Sequence, residues 1–344
     1  MQLRLCSYQQ GGTGMEILYG APLTEAWQQR VQSFLNSLGL GFENSLDFTV
    51  VLHEGENILA TGSRRGNVLQ CIGVSPERQG EGLSAAVVTE LTKEAFAQGL
   101  SHLFLYTRPH NRRLFAENGF YPVAHTDTVL LMENKRNGAR QFAENILCQS
   151  AVPPIGCIVA NCNPFTFGHQ YLAEYAAAKC GHVYFLVLSE DKSLLPAEAR
   201  YRLAQQGLAH LPNVSVHPTG DYLISSATFP TYFLKDKIQA EEAYYDLDIA
   251  VFAGQFAPVL GIETRFVGSE PADKVTAGYN RRMKELLPTY GVTVDELPRK
   301  MWGEHPVSAG TVRRLMEQKD FSTLARYVPG TTLSYITEVM QHGG

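Results

Sequence analysis

The residues best placed to do chemistry are Thr166, Phe167, Gly168 and His169. They follow a short apolar run, Ile158, Val159 and Ala160, that breaks at Asn163 and Pro164. Leu172, Tyr175 and Ala176 then recur at i, i+3 and i+4 spacing up to Gly181, so the pattern predicts strand, turn and a helix from Gln170 to about Cys180. The helix start therefore faces the carboxyl end of the strand. Its first N–H groups lack partners and carry partial positive charge, which makes a phosphate site, and His169 in the first turn adds a donor there.

The elements around this turn must hold it. Residues 182–188, His-Val-Tyr-Phe-Leu-Val-Leu, form a nearly continuous apolar run with β-branched and aromatic residues, as a parallel strand covered on both faces requires. Lys192 leaves the carboxyl end of that strand and Arg200 lies in the helix that starts at Pro196, so both can face the anion at His169. Residues 214–216, 248–252 and 265–268 read as further strands with helices between them. Alternation of this kind predicts a doubly wound parallel sheet, with the polar loop at Gly268 and Glu270 placed to hold an adenine or ribose edge.

The first half reads differently. A hairpin over residues 48–53 and 58–62 is followed by a strand at 68–74, and this ends in a turn holding Gln79, Gly80, Gly82 and Ser84 before helical periodicity begins at Ala85. Small residues let backbone N–H groups approach an anion, so this turn is a second candidate cradle, for a pyrophosphate. A charged stretch after Glu133 and the pair Pro153-Pro154 mark the boundary, giving domains at residues 1–134 and 153–344 joined by a helix within 135–152.

Composition limits the alternatives. The 344 residues exceed one ordinary core, and 29 basic against 34 acidic residues leave a net charge of −5, which offers nucleic acid no attractive surface. The six cysteines are scattered, without Cys-x-x-Cys pairs, and read as free thiols. No apolar run reaches membrane-spanning length and the first ten residues lack the pattern of a leader, so no membrane partner and a cytoplasmic location are expected.

Thr166-Phe167-Gly168-His169 resembles the (His/Thr)-x-Gly-His signature of the nucleotidyltransferase superfamily, whose two outer side chains contact the phosphates of ATP. Val307-Ser308-Ala309-Gly310-Thr311-Val312-Arg313 resembles its second signature; Ser308 and Arg313 match, while Gly310 lacks the expected hydroxyl, which Thr311 can supply from the next position. Gln79, Gly82 and Ser84, with Asn111 and Gly119-Phe120, resemble the pyrophosphate loop and late segment of GNAT-type N-acetyltransferases, although only Glu77 and Tyr121 stand as candidates for an acetylation base.

The order of these domains, and the stretch 220–235 with Ser225, Ser226 and Thr228, is similar to the citrate lyase ligase family. The fold this implies is an N-acetyltransferase-like α+β domain followed by a Rossmann-like nucleotidyltransferase domain. The implied reaction joins acetate to the thiol of the prosthetic group on the acyl-carrier subunit of citrate lyase, with ATP, assisted by Mg²⁺, giving AMP and pyrophosphate. Thr166, His169, Lys192 and Arg313 are then the catalytic candidates. Asn163, Phe165, Phe167, Gly168, Arg200, Gly268, Glu270 and Ser308 are ATP candidates, and Ser225, Ser226 and Thr228 are candidates for acetate or the thiol arm. Gln79, Gly80 and Gly82 are candidates for a phosphopantetheine arm. No carboxylate pair, Ser or Cys triad or metal cluster stands beside these motifs, which suits attack by a carboxylate already ionised at pH 7 and in need of no base. An adenylyltransferase acting on phosphopantetheine or a nicotinamide nucleotide, a protein N-acetyltransferase, and a nucleotide sensor without turnover share parts of the pattern.

Overall fold

Strands β1 (Leu5–Ser7), β2 (Glu16–Gly20), β3 (Phe48–Glu54), β4 (Asn57–Arg65), β5 (Val68–Val74), β6 (Phe104–Thr107), β7 (Tyr121–His125) and β8 (Leu130–Glu133) form one sheet in the order β1-β2-β3-β4-β5-β6-β8-β7. Helices α1 (Glu25–Ser37), α2 (Leu83–Ala97) and α3 (Arg112–Ala116) accompany it. The structure is a computed structural model and describes residues 5–7, 14–43, 45–190, 193–223, 237–270 and 273–342. Its contacts define two units, Met1–Gly138 with Phe229–Leu247, and Ala139–Thr228 with Asp248–Gly344. In the first unit Val50, Leu52 and Leu69 of the sheet and Val87 and Leu91 of α2 share one buried core. The i, i+4 pair Val87 and Leu91 is what turns α2 toward the strands.

All pairings in this sheet are antiparallel except β5 with β6, which run parallel and match only at Val68 with Phe104 and Leu69 with Leu105. Beyond those residues the two strands carry no further pairing, although β5 continues to Val74 and β6 to Thr107. A cleft opens where they part.

The second unit begins with α4 (Gly138–Asn145) and alternates β9 (Ile155–Ala160), α5 (Phe167–Lys179), β10 (His182–Val187), α6 (Ala197–Leu208) and β11 (Val214–Pro218). Helix α7 (Lys237–Val251) follows in the chain, its residues up to Leu247 belonging to the first unit, and the second unit continues with α8 (Ala257–Leu260), β12 (Thr264–Gly268), α9 (Lys274–Leu286) and β13 (Thr293–Leu297). The five strands pair in parallel in the order β11-β10-β9-β12-β13. Chain order runs outward from β9 in one direction and then restarts beside β9 in the other. Such a reversal leaves a crevice at the carboxyl ends of β9 and β12, and α5 departs from that place. The fold is the doubly wound α/β sheet that the alternation of strands and helices implies.

One expected strand is absent. Residues 248–252 end helix α7 and enter a π-helical turn, Phe252–Phe256. Leu247, Ile249, Val251 and Phe252 are all buried. A helix covered on most sides has the same unbroken apolar look as a strand covered on two, and periodicity cannot separate them over five residues. The strand that takes the edge position is β13, whose exposed Thr293 and half-buried middle hide its character.

A hairpin of β14 (Met301–Trp302) and β15 (His305–Pro306) and helices α10 (Ala309–Glu317), α11 (Phe321–Leu324) and α12 (Gly330–His342) complete the chain around a separate core of Val312, Leu324 and Ile336. Burial pushes the Cys71 thiol up to about 12 and that of Cys157 to about 11, so neither is a nucleophile at neutral pH. No helix among the described residues is long and apolar enough to cross a membrane.

Candidate active site

Thr166 is the N-cap of α5, and it forms a reciprocal cap with His169. The backbone N–H of Thr166 donates to His169 Nδ1 at 3.0 Å, while Thr166 Oγ1 accepts the His169 backbone N–H at 3.4 Å and lies 2.9 Å from Nδ1. A backbone N–H can only donate, so Nδ1 is the acceptor and the proton of the neutral ring sits on Nε2. The ring also stacks on Phe165, centroids 5.6 Å apart at 24°. Desolvation, with the nearby Arg299 charge adding to it, lowers the pKa of His169 to about 4. At neutral pH the side chain is a fixed, uncharged Nε2–H donor.

That shift has a consequence for stability. The folded pKa lies below the ordinary value near 6.5, so between pH about 6.5 and about 4 the unfolded chain takes up a proton that the folded site refuses. Above that window the neutral ring costs nothing; within it, stability falls as pH falls. His182 and His217 are depressed by burial as well and share the slope. Urea unfolding of wild type and His169→Gln at pH 7.5 and pH 5 should therefore show a smaller acid loss in the variant, and equal losses would contradict the assignment.

The second signature meets the first directly. A Cβ at Gly168 would stand 2.6 Å from the Val307 carbonyl oxygen, so a side chain there would separate the first turn of α5 from the strand-to-helix turn before α10. The Phe167 N–H donates to the Tyr327 carbonyl at 2.9 Å. Ser308 caps α10, accepting the Thr311 N–H at 3.1 Å, and the Thr311 hydroxyl lies 3.0 Å from Ser308 Oγ, so the hydroxyl missing at Gly310 is replaced within the same cap. Arg313 donates from Nη1 to the Asn163 carbonyl at 2.8 Å. Two helix N-termini, a neutral imidazole and a guanidinium thus converge on the turn after β9.

Several expected ligand contacts become supports instead. Arg200 is fully buried; its donors go to the carbonyls of Leu195 at 3.0 Å, Asn161 at 2.8 Å and Leu188 at 2.7 Å, to Asn161 Oδ1 at 2.6 Å, and to the Glu190 carbonyl. It ties the loops after β9 and β10 together and cannot also lie on a phosphate. Phe165 is fully buried in the core between β10 and α6 and orients His169 by its face. Asn163 is buried too, and its Oδ1 accepts the Leu195 N–H at 3.1 Å.

Glu270 pairs with Arg299, which also donates to the Ser269 carbonyl at 2.8 Å, and the Gly268 carbonyl accepts from Asn280 at 2.9 Å. Phe167 lies beneath the ammonium of Lys300, 5.9 Å from its ring centroid. Lys192, Ser225, Ser226 and Thr228 lie outside the described residues. Arg299 and Lys300 were not foreseen. They follow β13, and a strand not recognised in the sequence gives its carboxyl-end residues no edge to occupy.

In the first unit the cleft between β5 and β6 has a volume of about 670 Å³ and is lined by Gln79, Gly80, Gly82, Ser84 and Asn111. Gly80 and Gly82 have φ of +88° and +79°, a region that favours glycine, and Gly82 starts α2 with no side-chain cap. The first N–H groups of α2 are left to a ligand or water. The Glu77 carboxylate is exposed and accepts from the Ser75 hydroxyl, which holds its pKa below the ordinary carboxylate range and makes it a poor base.

Comparison with known proteins finds two family matches along the chain. The citrate lyase ligase C-terminal domain family matches residues 155–336, and the acetyltransferase (GNAT) family matches residues 18–120. The citrate (pro-3S)-lyase ligase of Klebsiella pneumoniae is 37% identical over 333 residues, covering 95% of this chain and 96% of that protein. That of Haemophilus influenzae is 36% identical over 315 residues, covering 89% and 94%. Among solved structures, Thermotoga maritima TmcAL bound with alpha-thio ATP aligns over 55% of this chain and 56% of its own, at 14% identity and a TM-score of 0.36. An acyl-CoA N-acyltransferase from Pseudomonas aeruginosa aligns over 35% and 99%, at 17% identity and a TM-score of 0.30. With relatives this similar over nearly their whole length, the chain belongs to the citrate lyase ligase family.

Proposed function

We propose that this protein uses ATP to join acetate to the thiol of the prosthetic group on the acyl-carrier subunit of citrate lyase, through acetyl adenylate. The observation that carries the phosphate half of this reading is the locked His169 tautomer at the start of α5, with Arg313 bound to the same turn. Family membership supports the acid and the thiol. In the first step an acetate oxygen attacks the α-phosphorus, the bond from that phosphorus to the bridging oxygen breaks, and pyrophosphate leaves. In the second, the thiolate attacks the acyl carbon and AMP leaves with the oxygen of the mixed anhydride. The thiol proton passes to solvent or to a base.

Acetate is ionised at neutral pH, so the first step needs alignment and charge neutralisation instead of proton removal. His169 Nε2–H donates to a phosphate oxygen, and its neutrality keeps it from surrendering a proton to the leaving group. Thr166, Lys192 and Arg313 complete the phosphate contacts, and Ser225, Ser226 and Thr228 face the acid or the thiol arm. Among the described residues no three acidic, His or Cys side chains form a metal cluster. A Mg²⁺ bound with ATP would add charge neutralisation on the phosphates to that supplied by Lys192 and Arg313. Residues 1–134 form the domain whose Gln79, Gly80 and Gly82 hold the phosphopantetheine-type arm, residues 135–152 connect, and residues 153–344 adenylylate.

Acetate-dependent exchange of labelled pyrophosphate into ATP tests the reading. Exchange that needs acetate but not the carrier is expected. Exchange without acetate, or none with acetate present, would reject the acetyl adenylate.

A further inference from the structure

We propose that Lys300 is a further ATP-binding residue, whose ammonium neutralises the β- and γ-phosphates at the start of α5. The assignment rests on the ATP reading above. Lys300 follows the carboxyl end of β13, and its carbonyl accepts the Val307 N–H at 2.8 Å. Val307 is in turn the residue whose carbonyl abuts Gly168. One hydrogen bond and one close contact therefore fix the Lys300 backbone against the first turn of the phosphate-binding helix.

Its side chain lies there as well. Nζ stands 5.9 Å from the Phe167 ring centroid and 5.5 Å from that of Tyr171, two residues four apart on one side of α5. No carboxylate lies within ion-pair distance of it among the described residues. Three other cations of this unit are neutralised, Arg299 by Glu270, Lys284 by Glu296 and Lys179 by Asp295. Arg299 cannot take the role proposed for its neighbour, because its guanidinium is already held by Glu270 and the Ser269 carbonyl.

The position is unfavourable for a cation that has nothing to bind. A helix start carries partial positive charge and repels an ammonium. The two aromatic faces attract it weakly, by an amount that a doubly charged phosphate readily exceeds. An unpaired cation, half-buried and held by forces an anion can overcome, is what a triphosphate site needs before ATP arrives. Arg313 offers only part of its guanidinium, since Nη1 is on the Asn163 carbonyl.

Calorimetric titration of the full chain with ATP, without acetate or carrier, tests this. Lys300→Met keeps the apolar stem over the rings and removes the charge. It should weaken ATP binding by roughly 10- to 100-fold, as expected for loss of a charge-assisted contact, while AMP binding changes by less than about threefold. Lys300→Arg should restore ATP binding to within about threefold of wild type, and the unfolding midpoint of Lys300→Met should match wild type. Unchanged ATP affinity in Lys300→Met, or equal losses for ATP and AMP, would overturn the assignment. Wild-type protein that fails to bind ATP would instead overturn the reading on which it rests.

Discussion

His169→Ala is expected to lower turnover by roughly 10²- to 10³-fold, the usual cost, about 2.7–4 kcal/mol, of removing one preorganised transition-state donor. The expectation comes from the cap at the start of α5. Two donors of Thr166 aim at Nδ1, which leaves Nε2–H as the end of the ring available to a ligand. Phe165 fixes the ring plane from behind. The donor is therefore set before substrate arrives, and its loss should fall mainly on kcat. Stability should change little, by about 1 kcal/mol, since what is lost is half of a reciprocal cap. Steady-state kinetics within threefold of wild type would remove His169 from the chemistry.

Arg200→Met should act in the opposite manner, on the fold first. The substitution leaves the carbonyls of Leu195, Asn161, Leu188 and Glu190 without their buried donor. The bond to the Leu195 carbonyl is buried and those to the other three are part-buried, so water can replace some of them; with an unpaired buried acceptor costing on the order of 1–3 kcal/mol, the sum is roughly 2–4 kcal/mol. Urea unfolding should show that loss, with the midpoint well below wild type. At temperatures where the variant is still folded, its apparent affinity for ATP should fall because the loops after β9 and β10 are no longer tied together. An unchanged unfolding midpoint would mean that Arg200 is not the rivet described above.

The contrast between these two residues shows what kind of information each level holds. His169 and Thr166 are three apart, and a cap of this kind is complete within four residues. Local sequence suffices to place them at a helix start, and the apolar run before them places that start at a sheet edge. Arg200 has the right charge and follows the right strand, so sequence puts it at the same edge. Which way its side chain turns depends on four carbonyls from two loops, and no local pattern encodes that. Phe165 is similar: its face orients His169 while its body fills the core against Phe185.

The sequence by itself determined the alternation that makes a doubly wound sheet, the strand-turn-helix around Thr166 and His169, the glycine turn at Gly80 and Gly82, and the domain order and the 220–235 stretch that resemble the family. Each is written in neighbours a few residues apart, through periodicity, capping and backbone freedom. Only the tertiary structure decided that residues 248–252 belong to a helix, because burial on most sides of a helix and on both faces of a strand leave the same apolar run. Only it brought Val307 against Gly168 and Arg313 to Asn163, contacts that span some 140 to 150 residues of chain. And only it set Lys300 over Phe167 and Tyr171, since a cation's partner, or lack of one, is fixed by what packing brings to its charge.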